Sequence, residues 1–217
     1  MIDKIREIVG SILEEEKPGG SDKIVVLDPA ALGMPAAGPP PPELRTVGLF
    51  CEVVDEKVAE VAHAMLYLNQ TNVHIEPENR LPIEFYLSTY GGNADDMFAL
   101  YDIMRQVRTE TEIHTIGMGK VMSAGVLLLA AGTKGKRRIG KNCRVMIHSV
   151  IAGQHGALHN LINEMEAVQD LQKMYTESLV EETNVTKKQL KNLLERKVNV
   201  YLSAEEAVEL GIADIIV

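Results

Sequence analysis

The sequence predicts an α/β fold in which strand–helix units build a largely parallel sheet. Two observations support this. From Leu44 onward, short apolar segments alternate with segments of helical periodicity. The chain also has 217 residues, 46% of them hydrophobic, which is enough for one sizeable core. Alternating strands and helices imply crossover connections, and these favour parallel pairing of the strands.

Five strands are predicted from short apolar runs next to turn-forming residues. They are residues 47–54, 83–87, 112–116, 144–148 and 198–202. The second is followed by Ser88-Thr89-Tyr90-Gly91-Gly92, where paired glycines indicate a tight turn. The fourth ends on a histidine, His148.

Five helices are predicted between and after these strands. They are residues 55–69, 94–108, 123–131, 157–182 and 203–210. The first turns one apolar face inward, formed by Val58, Val61, Ala62, Met65 and Leu68. The last begins with Ser203 and has Glu206 three positions later, the pattern of a capping box.

The helix predicted over residues 123–131 is almost wholly apolar, so it must be buried on every side. Ser123 in its first turn therefore lies near free backbone amides and the positive end of the helix dipole. This environment suits a nucleophile that generates an oxyanion. The alternative is that Ser123 only caps the helix, the commonest role of such a serine. The Gly-x-Ser-x-Gly motif of the hydrolase nucleophile elbow is absent, since Val121 occupies the first glycine position.

The first 44 residues differ in composition from the remainder. Seven of the nine prolines lie within the first 42 residues, and four of them form the run 39–42. Such a run favours extended polyproline II, so residues 18–42 are predicted to be a linker. Before it, apolar residues at helical spacing predict a short amphipathic helix. Packing on its own or a neighbouring subunit, docking to another protein, and targeting all remain open for this helix.

Composition and motifs exclude several classes of function. The formal charge of −9 and the absence of Trp argue against nucleic-acid binding. The longest uncharged stretch of the apolar centre, Val121 to Thr133, is shorter than the roughly 20 residues of a membrane span. Cys51 and Cys143 provide neither a disulfide framework nor a CxxC zinc motif. We therefore expect a reducing, cytoplasm-like compartment, no metal and no cofactor.

Several motifs carry a resemblance to a known family. They occur in order as Thr89-Tyr-Gly-Gly92, Gly119-Lys-Val-Met-Ser123-Ala-Gly125, Arg144-Val-Met-Ile-His148 and Leu202-Ser-Ala-Glu-Glu-Ala207. From about Arg45 to Val217 the chain resembles ClpP, the self-compartmentalised serine peptidase of the Clp protease system. The resemblance implies a ClpP/crotonase-like spiral of strand–helix units over residues 45–217, with residues 157–182 as a long handle helix. Residues 1–44 are then an atypical N-terminal extension.

The resemblance assigns a role to each matching residue. It implies Ser123 as nucleophile, His148 as general base, and the backbone amides of Gly92 and Ala124 as the oxyanion hole. A side chain at Gly92 would hinder the approach of substrate to that amide. Residues 149–156 would add backbone hydrogen bonds to a bound peptide as an additional strand. The expected substrate-binding residues are Gly91, Ser149, Val150, Ile151 and Gly153.

The third triad position departs from the family pattern. The family has an aspartate four residues before the serine of Leu-Ser-Ala, and Asn199 stands there. Its amide oxygen can orient the imidazole but carries no charge to stabilise imidazolium. We therefore expect attenuated or conditional peptidase activity. Glu195 and Asp214 remain open as substitutes.

The resemblance also implies partners. Two stacked heptameric rings, of this chain alone or with paralogous subunits, would receive unfolded polypeptide from a ClpX-, ClpA- or ClpC-like AAA+ unfoldase. That unfoldase, not this chain, would use ATP. The main alternative is a catalytically inactive, ClpR-like scaffold or regulatory subunit of a mixed Clp complex. A further alternative is a crotonase relative that binds acyl-CoA, for which no CoA-specific feature stands out.

Overall fold

One seven-stranded sheet organises the part of the chain that the computed structural model describes, residues 44–195 and 199–217. Its strands are β1 (Thr46–Leu49), β2 (Ile83–Thr89), β3 (Ile113–Met122), β4 (Arg138–Ile139), β5 (Arg144–Ile147), β6 (Val200–Leu202) and β7 (Ile215–Ile216). The predicted amphipathic helix and proline-rich linker fall within residues 1–43 and lie outside the described residues.

The sheet branches at β3. Strands β1, β2, β3, β4 and β7 are neighbours in that order and pair in parallel. The last part of β3, Lys120 to Met122, pairs in parallel with β5, and β5 pairs antiparallel with β6. The predicted α/β class with a largely parallel sheet is confirmed. Strand β3 extends six residues beyond the predicted end at Ile116, and this extension carries the branch.

The described residues also contain six α-helices. They are α1 (Asp55–Asn72), α2 (Ala94–Val107), α3 (Ala124–Ala130), α4 (Leu158–Glu182), α5 (Lys187–Glu195) and α6 (Ala204–Glu209). Helix α1 buries the predicted apolar face, and α6 begins with the predicted capping box of Ser203 and Glu206. Helix α5 was not predicted, although Thr186 and Gln189 exchange the hydrogen bonds of a second capping box before it.

Helices α3 and α4 differ sharply in burial. All seven residues of α3 are buried, as its uniform apolar composition predicts. Helix α4 is the predicted long handle helix, and its buried residues, Tyr175, Leu179 and Glu182, lie in its C-terminal third. Nearer its N-terminus, Leu158, Ile162 and Met165 are 68%, 47% and 59% exposed. This end of α4 therefore presents apolar surface that residues 44–195 and 199–217 leave exposed.

The C-terminal end of α4 is fixed by a buried charge cluster. Glu182 accepts hydrogen bonds from Arg108 at 2.6 and 3.0 Å and from the Tyr101 hydroxyl at 3.1 Å. Burial alone favours the neutral carboxyl, but the hydrogen bonds and charge of Arg108 hold the pKa of Glu182 below its ordinary value. Because Tyr101 belongs to α2 and Arg108 directly follows it, this cluster ties α4 to α2.

A second ion pair joins the residue before β4, Arg137, to the residue before β7, Asp214. Arg137 donates to both carboxylate oxygens of Asp214, at 2.6 and 2.8 Å, and the backbone amides of Gly135 and Arg137 donate to the same carboxylate. Burial by itself raises the pKa of Asp214, but the bonds from Arg137 outweigh it and lower that pKa. The Asp214 carboxylate is therefore committed to Arg137.

We expect Asp214→Ala to destabilise the protein by about 3 kcal/mol, because Arg137 would keep a buried charge without its partner. The lowered pKa means that the unfolded chain binds more protons here. The stability from this pair is therefore present above about pH 4 and is lost as the pH falls further. Urea unfolding at several pH values measures both effects. Asp170→Ala, at an exposed position of α4, is the control. If the unfolding free energy of Asp214→Ala depended on pH as that of the wild type does, the prediction would be contradicted.

Candidate active site

Ser123 forms the turn between β3 and α3 with a strained backbone. Its φ of 54° and ψ of −121° make it the only non-glycine residue with positive φ in the described part of the chain. Such conformations cost about 1–3 kcal/mol and cluster at functional sites. Ser123 occupies the N-cap position of α3, but its side chain makes no cap hydrogen bond, so its hydroxyl does not perform the capping role that the alternative assigned to it. The turn has the strained strand-to-helix form of a nucleophile elbow although the sequence lacks that motif.

Three hydrogen bonds to the backbone of Ser123 hold its turn in place. Its amide donates to the carbonyl of Met146 in β5 at 2.8 Å. Its carbonyl accepts from the amide of Val126 at 3.0 Å and from the hydroxyl of Tyr175 at 3.1 Å. These bonds fix the position from which the Ser123 hydroxyl projects.

Two glycines after β2 pack against this turn, each for a separate steric reason. A Cβ at Gly91 would lie 2.6 Å from the Ser123 Cβ, and φ there is +101°. A Cβ at Gly92 would lie 2.1 Å from the carbonyl oxygen of Val53, which bridges to this turn. The close passage of the Val53 backbone therefore gives Gly92 a structural reason of its own, and the expected role in substrate approach stays a prediction.

Two backbone amides beside Ser123 are available to an incoming group. Those of Gly92 and Ala124 donate to no other group within residues 44–195 and 199–217. The Cβ position of Gly91 lies 3.1 Å from the Ala124 nitrogen, so the glycine turn and the first turn of α3 are adjacent. The predicted oxyanion donors thus lie on neighbouring turns.

His148 directly follows β5 and is half-buried. Its Nδ1 lies 2.6 Å from the carbonyl oxygen of Ser149. Because a carbonyl only accepts hydrogen bonds, Nδ1 carries the proton, and Nε2 of the neutral ring is left as an acceptor. This is the tautomer that a general base requires. No hydrogen bond joins the His148 ring to the Ser123 hydroxyl in the described residues.

A cavity of about 450 Å³ brings the predicted residues together. Those that line it are Gly92, Ser123, Ala124, His148, Ser149, Val150 and Ile151. Gly91 packs beneath Ser123 instead, and a Cβ at Gly153 would meet nothing within 4 Å. Sequence reasoning did not identify the apolar wall of the cavity, which consists of Met97, Phe98, Val168, Leu171 and Tyr175. In a helix, such residues carry only the ordinary signal of a buried face.

The segment after His148 is only partly free to pair with a peptide. The Val150 amide donates to Oε1 of Gln172 at 2.7 Å, and the Ser149 carbonyl already accepts from His148. Ile151 is 80% exposed. Strand addition therefore stays a prediction for the residues beyond Val150.

Asn199 directly precedes β6, next to the end of β5 that His148 follows. Ile147 pairs with Val200 in the antiparallel β5–β6 ladder, so continuing the register by one residue would bring Asn199 opposite His148. Asn199 is exposed, and no hydrogen bond joins its side chain to His148 in the described part of the chain. Asp214 is bound to Arg137, which excludes it as the substitute in this structure. The Glu195 side chain lies outside the described residues.

A strained serine, a histidine whose Nδ1 lies against a backbone carbonyl, and two backbone amides around one cavity are the elements that serine hydrolases use. Comparison of the sequence with known proteins identifies the family. The chain belongs to the Clp protease family, whose model matches residues 43–217.

Curated relatives agree with this assignment. The chain is 30% identical over 172 residues to ATP-dependent Clp protease proteolytic subunit 1 of Prochlorococcus marinus subsp. pastoris, covering 79% of this chain and 83% of the relative. It is 31% identical over 173 residues to proteolytic subunit 2 of Corynebacterium jeikeium, covering 79% and 78%. It is 32% identical over 170 residues to proteolytic subunit 1 of Leifsonia xyli subsp. xyli, covering 78% and 81%. The predicted family is confirmed.

None of the helices described here combines the length and the apolar character needed to cross a bilayer.

Proposed function

We propose that this chain is a proteolytic subunit of an ATP-dependent Clp-type protease and hydrolyses peptide bonds through Ser123 and His148. The observation that carries the proposal is the strained Ser123, whose hydroxyl caps no helix and lines one cavity with His148. Strain of this kind persists only where the surrounding structure enforces it. The comparisons support the family, and the catalytic assignment rests on this geometry.

The proposed reaction is acyl transfer followed by hydrolysis. The Ser123 hydroxyl oxygen attacks the peptide carbonyl carbon while Nε2 of His148 takes its proton. The amides of Gly92 and Ala124 stabilise the resulting oxyanion, each by roughly 3–4 kcal/mol. The imidazolium then protonates the leaving amine. Water, deprotonated by His148, hydrolyses the acyl-enzyme. The apolar wall formed with Met97 and Phe98 favours apolar substrate side chains.

The same proposal covers assembly. Family membership and the exposed apolar residues of α4, Leu158, Ile162 and Met165, support packing of this helix against other subunits. We expect ring assembly, with two stacked heptamers as the working model, alone or with paralogous subunits. A Clp-type AAA+ ATPase would deliver unfolded polypeptide, so the chain itself needs no cofactor. A cytoplasm or an equivalent reducing compartment such as the plastid stroma suits its two unpaired cysteines.

A fluorophosphonate probe tests the catalytic proposal. We expect the assembled wild-type protein to be labelled once per chain, with the adduct on Ser123 in the peptide mass spectrum. The His148→Ala variant is expected to label at least a hundredfold more slowly, because the hydroxyl loses its general base. An unlabelled wild-type assembly would contradict the proposal.

One observation favours a second candidate, a non-catalytic scaffold or regulatory subunit. By the family resemblance Asn199 stands where the third triad member is expected, and its amide would contribute no charge to His148. In that case the assembly forms with paralogous Clp subunits and only those subunits take up the probe. The labelling experiment therefore separates the two functions.

A further inference from the structure

Helix α4 contacts both catalytic turns through two residues that lie three positions apart. Tyr175 donates its hydroxyl hydrogen to the carbonyl of Ser123 at 3.1 Å. Gln172 accepts at Oε1 from the amide of Val150, two residues after His148, at 2.7 Å. Residues at i and i+3 lie on the same face of a helix, so one rigid element reaches both turns.

We propose that Gln172 and Tyr175 are positioning residues that set the geometry between His148 and Ser123. Gln172 orients the backbone peptide unit between residues 149 and 150, and that unit orients the imidazole. Tyr175 holds the strained turn that contains Ser123. This inference rests on the proposed peptidase function. It assigns to α4 the orienting role that the uncharged, exposed Asn199 does not perform in this structure.

The path from Gln172 to the imidazole runs through a single planar group. The Ser149 carbonyl, which accepts from His148 Nδ1, and the Val150 amide, which donates to Gln172, belong to the same peptide unit. Because that unit is planar, fixing its N–H also fixes the direction of its C=O. Hydrogen bonds in such a chain polarise and strengthen one another. Gln172 thus acts on the proton at His148 Nδ1 without touching the ring.

The orientation of the Gln172 amide is itself determined. Its Nε2 lies 3.3 Å from the hydroxyl oxygen of Thr176. That hydroxyl donates to the backbone carbonyl of Gln172 at 2.8 Å. The Thr176 hydroxyl proton is therefore committed, so its oxygen must accept from the amide group. This leaves the Gln172 oxygen directed at the Val150 amide.

Tyr175 acts on the other partner of the reaction. It is only 4% exposed, and burial raises the pKa of its phenol far above the usual value, so it stays a donor at any working pH. Its acceptor is the carbonyl of the one non-glycine residue with positive φ among those described. A strained conformation needs support from its surroundings, and this hydrogen bond supplies it from α4.

Three variants test the inference in the assembled, full-length protein. Gln172→Met removes the acceptor at similar side-chain length, and Tyr175→Phe removes only a hydroxyl. We expect kcat on a short fluorogenic peptide and the rate of fluorophosphonate labelling to fall about 10- to 100-fold in each, with KM changed less than twofold. Gln172→Glu keeps an oxygen acceptor and is expected to retain kcat within about threefold of the wild type.

Tyr101→Phe is the matched control. It also removes a buried tyrosine hydroxyl, one that donates to Glu182 and contacts neither catalytic turn. We expect it to lower the denaturation midpoint about as much as Tyr175→Phe does, while kcat stays at the wild-type value. A merely structural role for Tyr175 predicts equal kcat for the two variants.

The outcomes separate this inference from the proposed function. A reactive wild type with Gln172→Met and Tyr175→Phe at wild-type kcat would overturn the positioning roles and leave the peptidase intact. Equal losses of kcat in Gln172→Met and Gln172→Glu would overturn the role of the acceptor oxygen. A wild type that neither hydrolyses peptide nor takes up the probe would overturn both proposals.

Discussion

Ser123→Ala is expected to abolish peptide hydrolysis, with kcat falling at least about 10⁴-fold, because no other group replaces the nucleophilic oxygen. The fold is expected to tolerate the change. The serine hydroxyl caps no helix, and alanine has the same Cβ that already occupies the strained position. Hydrolysis of a fluorogenic peptide by the assembled protein, together with its denaturation midpoint, measures both expectations.

Ser178→Ala is the control for this result. Ser178 lies on α4 and does not line the cavity, so its loss should leave kcat unchanged. If Ser123→Ala kept measurable turnover in an assembly free of other Clp subunits, Ser123 would not be the nucleophile. A lower unfolding midpoint and a failure to assemble would contradict the expectation that the fold tolerates Ser123→Ala.

Asn199→Asp is expected to raise kcat by at least tenfold. Continuing the β5–β6 register by one residue beyond the Ile147–Val200 pair would bring a carboxylate at this position opposite His148, where we expect it to stabilise the imidazolium that forms during acylation. Replacing the triad aspartate of a serine protease with asparagine lowers turnover about 10⁴-fold, so the gain in kcat expected here cannot exceed that factor. The gain should stay below that factor, because the Ser149 carbonyl already accepts from His148 Nδ1 and the carboxylate must compete for the same proton.

Asn142→Asp is the matched control, since it adds the same charge in the exposed turn before the opposite end of β5. It should leave kcat unchanged. If Asn199→Asp also left kcat unchanged or lowered it, then Asn199 would not occupy the third triad position. A useful second measurement is the Gln172→Met loss in the Asn199→Asp background. It should shrink, because the carboxylate would then orient the imidazole directly.

Local pattern predicted much of the framework. A helix that is apolar on every side has to be buried, and α3 is. The spacing of Ser203 and Glu206 specified the start of α6 because a capping box involves only residues close in the chain. The two-residue strands β4 and β7 left no such signal, since a periodicity needs more residues than they contain.

The candidate site was predictable in part. Ordered motifs allowed the resemblance to assign Ser123 and His148, which line one cavity. The positive φ at Ser123 could not be foreseen, because the sequence lacks the motif that usually accompanies it. The steric reason for Gly92 also depends on Val53, a residue far away along the chain.

The sequence by itself determined the alternation of strands and helices, the burial of α3 and the family, since each of these depends on short-range spacing or on motif order. Only the tertiary structure decided which group orients His148 and which holds Ser123. The Val150–Gln172 and Ser123–Tyr175 hydrogen bonds join residues 22 and 52 positions apart. Such bonds depend on where α4 packs against the sheet, and no local pattern of side chains encodes that position.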